Sequence, residues 1–180
     1  MKQRSALLIA LVTLGALTRL IPHEANVTSL GAVALFAAFT LRRTWLAYLA
    51  PVAALLLSDI GLSLTDENYS FGWINLFVLA AFCMTVFGGR YLGKATPAKI
   101  GGAVIASSLA FFIITNFGAW VTGLGGHPMT FTGLTGTYVA GIPFFWKTLA
   151  STALYSATLF GALKLAESTI PGIRTETAAA

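Results

Sequence analysis

The run IGGAVIASSLAFFIITNFGAWVT occupies residues 100–122 and carries no charged side chain from end to end. At about 1.5 Å of rise per residue, such a run as a helix is long enough to cross the roughly 30 Å hydrocarbon core of a bilayer. Five further apolar stretches flank it, at 5–21, 28–41, 45–64, 73–89 and 143–166. They predict an all-α integral membrane protein of six transmembrane helices, with residues 1–180 forming a single membrane domain. The second stretch is short and needs flanking residues, a thinned bilayer or cover from its neighbours. The last is expected to start at Pro143, a natural first helical residue after Gly141, with the preceding stretch from Tyr138 dipping partly into the membrane.

The composition agrees. Hydrophobic residues make up 57% of the chain and charged residues only 9%, against roughly a quarter charged in soluble domains. Eighteen glycines lie scattered through apolar runs without a G-X-Y period, which excludes collagen. The net charge of +5 would suit nucleic acid only if the basic residues clustered on one solvent face, and they do not.

Instead the charges alternate with the segments. Lys2, Arg4, Arg42, Arg43, Arg90, Lys94, Lys99, Lys164 and Arg174 fall in the termini and even-numbered loops. The three opposite loops hold His23, Glu24, Asp66, Glu67 and His127, without a Lys or Arg. The positive-inside rule then places both termini in the cytoplasm. Lys2 and Arg4 ahead of an apolar run resemble a signal peptide, but no A-x-A-like cleavage site follows, so the run is expected to be retained as the first span.

Three ionisable residues are left inside the spans: Arg19, Asp59 and Lys147. Counted from the outer helix ends they lie about 4, 8 and 6 Å deep, all in the outer half. Asn75 and Asn116 share that half, whereas the inner halves hold almost only apolar, Gly, Ser and Thr residues. A channel needs a polar path through the whole bilayer, so the pattern suggests a binding cup open to the outside. Plainer readings remain open. Arg19 and Lys147 suit helix-end anchors whose heads reach the interface, Asp59 suits a structural ion pair with either of them, and Asn116 suits a helix–helix hydrogen bond.

Cys83 is the single cysteine and therefore cannot form an internal disulfide or a CxxC pair. It lies about 15 Å along its helix from Trp73, near the midplane. It is either a small core hydrophobe or a lone soft ligand to a metal already held by an organic ring. No second soft ligand supports a zinc site. His23, Glu24 and His127 form a weak divalent-cation signal, and Gly-Leu-Gly-Gly at 123–126 follows no strand, so no nucleotide site is expected.

The succession Arg19-Leu20-Ile21-Pro22-His23, Asn26, Ser58-Asp59, Thr115-Asn116-Phe117-Gly118-Ala119-Trp120 and Ile142-Pro143-Phe144-Phe145-Trp146 resembles the six-helix S-components of energy-coupling-factor (ECF) vitamin transporters. With the lone Cys83 in the fourth segment, the chain is more narrowly similar to the BtuM-like cobalamin transporters. The resemblance implies a protein of the bacterial cytoplasmic membrane that captures cobalamin (vitamin B12) as a bound substrate in an outward-facing pocket. It implies Arg19, His23, Asn26, Asp59, Asn75, Asn116, Tyr138 and Lys147 around the ligand and Cys83 on cobalt. Cys83 would be catalytic only if its thiolate drives decyanation of cyanocobalamin. The resemblance further implies an ECF coupling subunit and ATPases docking at the small residues Ala6 and Ala10. A second reading keeps the S-component-like fold but gives it another vitamin, of the riboflavin or thiamin class, and an inert Cys83. A membrane thiol enzyme is a third, although no His or Asp stands at helical spacing from Cys83 to activate it.

Overall fold

The segment LGAVALFAAFT is apolar on every side, and a helix with no polar face belongs in a core. The structure, a computed structural model that describes residues 2–21, 24, 26–41, 43–67, 69, 71–91 and 95–169, puts it there. The described residues form six α-helices and no strand: α1 (Lys2–Leu20), α2 (Leu30–Thr40), α3 (Thr44–Thr65), α4 (Ile74–Tyr91), α5 (Pro97–Val121) and α6 (Phe131–Thr169). The short α2 is buried along nearly its whole length and packs against all five others. Those five follow one another around it in the order α1, α3, α4, α5, α6, and α1 does not pack against α6.

Small side chains permit this close approach. A Cβ on Gly15 of α1 would sit 2.7 Å from Ala54 of α3, and one on Gly31 of α2 would sit 2.6 Å from Thr152 Oγ1 of α6. Cover from neighbours is thus what lets a helix of 11 residues stand where about 20 are needed to face lipid across a bilayer. Both ends of α2 are tied down. Ser29, fully buried, donates its backbone N–H to Thr18 Oγ1 on α1 at 3.2 Å. At the other end Arg90 Nη1 of α4 donates to the Leu41 carbonyl at 3.0 Å, setting a cation at a helix C-terminus, where the dipole favours it.

Two predicted boundaries need correction. α5 starts at Pro97 rather than at 100, because Thr96 caps it by accepting from the Lys99 backbone N–H and Pro97 takes the first turn, where its missing donor costs nothing. α6 starts at Phe131 rather than at Pro143, after Thr130, whose Oγ1 accepts from the Gly133 backbone N–H at 3.1 Å. Pro143 lies inside this 39-residue helix. Proline there removes one helical hydrogen bond, but α5 braces the helix on both sides of it. Tyr138 OH donates to the Ile113 carbonyl at 2.9 Å, and the Phe112 ring meets Tyr138 and Phe145 at centroid distances of 5.6 and 5.5 Å.

Four helices, α3 to α6, are long and apolar enough to cross a membrane; Ala6–Leu20 and Leu30–Thr40 are shorter apolar helices. α1, α3 and α5 finish at one end of the bundle, which is called the upper end below. It is the end that the loop charges predict to face outward.

Candidate ligand cavity and the polar cluster at its rim

Asp59 is on the second turn from the end of α3, on the face that meets α1 and α4. Its carboxylate is 1% exposed and forms an ion pair with Arg19 at the end of α1. Arg19 Nη1 also donates to Ser58 Oγ at 2.6 Å and to the Leu55 carbonyl at 3.3 Å. From the first turn of α4, Asn75 Nδ2 donates to Asp59 Oδ2 at 2.9 Å and to Tyr69 OH at 3.0 Å. The Tyr69 phenol is pushed above its usual range, first by burial and then by its bond to the Asp59 carboxylate. Three residues singled out in the sequence, Arg19, Asp59 and Asn75, therefore form one closed network joining α1, α3 and α4, and both carboxylate oxygens of Asp59 are occupied.

Beside Arg19 a cavity of about 210 Å³ runs down into the bundle. Arg19, Asn26 and Thr28 form its rim, and Leu30, Leu55, Val78, Phe82 and Phe111 supply the apolar part of its lining. The rings of Phe82 and Phe111 lie 5.2 Å apart at a tilt of 43°. Between and beside them stand six hydroxyls: Thr85 of α4, one turn from Phe82, Ser107 and Ser108 of α5, one turn from Phe111, and Thr148, Ser151 and Thr152 of α6. These are the functional candidates that sequence reading passed over. The signal was present in the spacing, since 148, 151 and 152 are i, i+3 and i+4 on one helical face. Hydroxyls are, however, ordinary in apolar helices, where they bond back to their own backbone.

The loop between α1 and α2 reaches over this cavity to α6. Glu24 Oε2 accepts from Lys147 Nζ at 2.8 Å, and the Asn26 carbonyl accepts from Ser151 Oγ at 3.3 Å. The hydrogen bond from Lys147, and then its charge, hold the Glu24 carboxyl below the usual range. Asn26 takes a left-handed φ of 65°, which a short polar side chain tolerates. Lys147 thus pairs with Glu24, whereas Asp59 takes Arg19.

The other candidates are elsewhere. Asn116 donates to the Phe112 carbonyl at 2.8 Å and its amide packs against Gly141, so Asn116 and Tyr138 serve the α5–α6 contact. Cys83 is partly buried and is not among the residues lining the cavity. Of the residues at helical spacing from it on α4, Leu76, Ala80 and Phe87 are exposed and Leu79 is partly buried against the core, whereas the adjacent Phe82 lines the cavity. His23 lies outside the described residues. His127 Nδ1 is 2.6 Å from the Gly125 carbonyl, and among the described residues no group of three His, Cys, Asp or Glu side chains is placed to hold a metal. Ala6 and Ala10 are exposed on α1.

An all-helical architecture dominated by long apolar helices, with a polar network and a hydroxyl-lined cavity at one end, is of the helical membrane protein class. The chain belongs to the family of unknown function DUF6580, whose model matches residues 1–173. No curated protein and no solved structure matches it.

Proposed function

We propose that this chain is a six-span protein of the bacterial cytoplasmic membrane, with both termini cytoplasmic, that captures a small vitamin-like solute at its outer face for uptake, in the manner of an ECF S-component. The observation that carries the reading is the cavity at the upper end, with a polar rim, a mixed apolar and hydroxyl lining and a closed Arg19–Asp59–Asn75 network beside it. That combination of apolar walls with a few placed polar groups is what small-molecule sites share. The six-span count gains support from α2, which is sheltered by five helices and so is not required to face lipid on its own. A coupling subunit with ATPases would dock on the exposed Ala6 and Ala10 of α1.

Of the two ligand readings, the one with an inert Cys83 is better supported. A cavity of about 210 Å³ is below the roughly 300–1,000 Å³ of sites for drug-sized ligands, and a corrin ring is larger than those. Cobalamin ligated by Cys83 would have to approach the exposed outer face of α4 instead. The deciding experiment is mass spectrometry of solutes extracted from protein purified from cells fed cobalamin, riboflavin and thiamin, with parent and Cys83→Ser side by side. A bound solute smaller than a corrin, retained in Cys83→Ser, is expected. A corrinoid lost in Cys83→Ser would restore the cobalamin reading. Protein that carries no solute and leaves vitamin uptake by the cell unchanged would overturn transport altogether.

A further inference from the structure

A hydroxyl owns one proton and two lone pairs. Along the cavity wall most of those protons are already committed. Thr85 donates to the Ala81 carbonyl at 3.0 Å, Ser107 to Val104 at 3.2 Å, Thr148 to Phe144 at 3.0 Å, and Ser151 to Thr148 at 3.1 Å with Asn26 as its alternative acceptor. What these side chains have left for the cavity is lone pairs. The positive charge at the rim is spoken for as well, since Arg19 is neutralised by Asp59 and its Nη1 donates to three protein oxygens.

Ser108 is the clearest exception: it is 1% exposed, lines the cavity, and its Oγ has no hydrogen-bond partner, so its proton as well as its lone pairs is uncommitted. A buried polar atom without a partner forfeits its hydration without compensation, and such an atom lining a cavity calls for an occupant that satisfies it. One turn along α5 from it stands Phe111, whose ring meets that of Phe82 at 5.2 Å, so an apolar aromatic surface lies beside the hydroxyl.

We infer that the occupant is a small, uncharged molecule with an apolar ring and a group that both donates and accepts hydrogen bonds, such as a primary amide, its ring packed beside Phe82 and Phe111 and its polar group on the hydroxyls of α4, α5 and α6. Ser108 is its specificity-determining contact. A carboxylate or phosphate is selected against, because it would bring a negative charge to a place where the lining cation, Arg19, is already neutralised by Asp59. The inference rests on the reading of this cavity as the ligand site, and it assigns the chemical class that the site takes.

The test compares two probes of one shape. Nicotinamide is flat, neutral and carries an amide N–H₂; nicotinate replaces that amide by a carboxylate. Binding of each to the full-length protein in detergent is measured by titration calorimetry, together with Ser108→Ala. Nicotinamide is expected to bind at least tenfold more tightly than nicotinate. Ser108→Ala should weaken nicotinamide by about three- to tenfold, the value of one hydrogen bond, while its thermal midpoint stays at or above the parent's, since the hydroxyl removed had no partner in the protein. Nicotinate binding as well as nicotinamide would overturn the assigned class and leave the cavity as the site. Nicotinamide binding unchanged in Ser108→Ala would remove Ser108 from the contact. Failure of both probes to bind would overturn the inference together with the site reading on which it rests.

Discussion

Replacing Asp59 by Asn keeps the size and one acceptor oxygen but removes the charge that faces Arg19. The carboxylate is 1% exposed and the Arg19 side chain 17%, so water can do little to repair the loss. Breaking a buried ion pair by removing one partner costs about 3–5 kcal/mol, because the other charge is left buried and uncompensated. On top of this, Asn75 and Tyr69 lose a charged acceptor for their donors. The expected effect is therefore a drop of about 3–5 kcal/mol, or roughly two to three and a half decades in the unfolding equilibrium. The assay is reversible unfolding by SDS in mixed micelles, followed by circular dichroism. A double variant, Arg19→Met with Asp59→Leu, separates the loss of the pair from the loss of packing. Substituting both members of a buried pair by apolar residues of similar size is often neutral or stabilising, so the double variant should recover most of what Asp59→Asn loses. If Asp59→Asn costs less than about 1 kcal/mol, the value of an exposed pair, the network is hydrated and the reasoning fails.

Three further outcomes follow from particular contacts. Gly118→Ala should destabilise by about 1–3 kcal/mol, as overpacking does, because a Cβ there would sit 2.5 Å from Phe77 Cγ and 2.7 Å from its Cβ; the same SDS titration reads it. Glu24 has its pKa lowered from 4.5 by Lys147. Its pairing therefore contributes stability that is present above 4.5 and lost as pH falls through the lower folded value, and Glu24→Gln should lower the thermal midpoint slightly at neutral pH and erase the acid-side change. High salt should mimic the substitution, since the pair is exposed and screened. Single cysteines introduced at Asp66 and Gly125 of a Cys83→Ser background should react with an impermeant maleimide on whole cells, whereas one at Lys99 should react only after lysis; labelling at Gly125 from the cytoplasmic side alone would invert the orientation.

How much of this was legible in the sequence differs from residue to residue. Asp59 stood out because a carboxylate within an apolar run demands a partner, and two cations, Arg19 and Lys147, were at suitable depth. Depth along a helix says nothing about azimuth, however, and the choice of Arg19 was made by the packing of α1 on α3. Cys83 illustrates the same gap. Its depth near the midplane suits a ligand in a cup, but its place around α4 keeps it off the cavity that the adjacent Phe82 lines.

The sequence by itself determined the helical class and the approximate limits of most of the helices, because uninterrupted apolar runs act locally and need no partner; the starts of α5 and α6 fall outside those runs, at the caps Thr96 and Thr130. It also determined that ionisable groups inside the bundle are few and gathered toward one end, since their positions along the runs are fixed by a constant rise per residue. Only the tertiary structure decided that α2 is the centre, that α6 continues through Pro143, and that six separate Ser and Thr residues line one cavity. Each of these depends on which faces of different helices meet, and that is settled by the fit of Gly15 to Ala54, Gly31 to Thr152 and Tyr138 to the Ile113 carbonyl, contacts between residues far apart in the chain whose complementarity is a property of shape rather than of local composition.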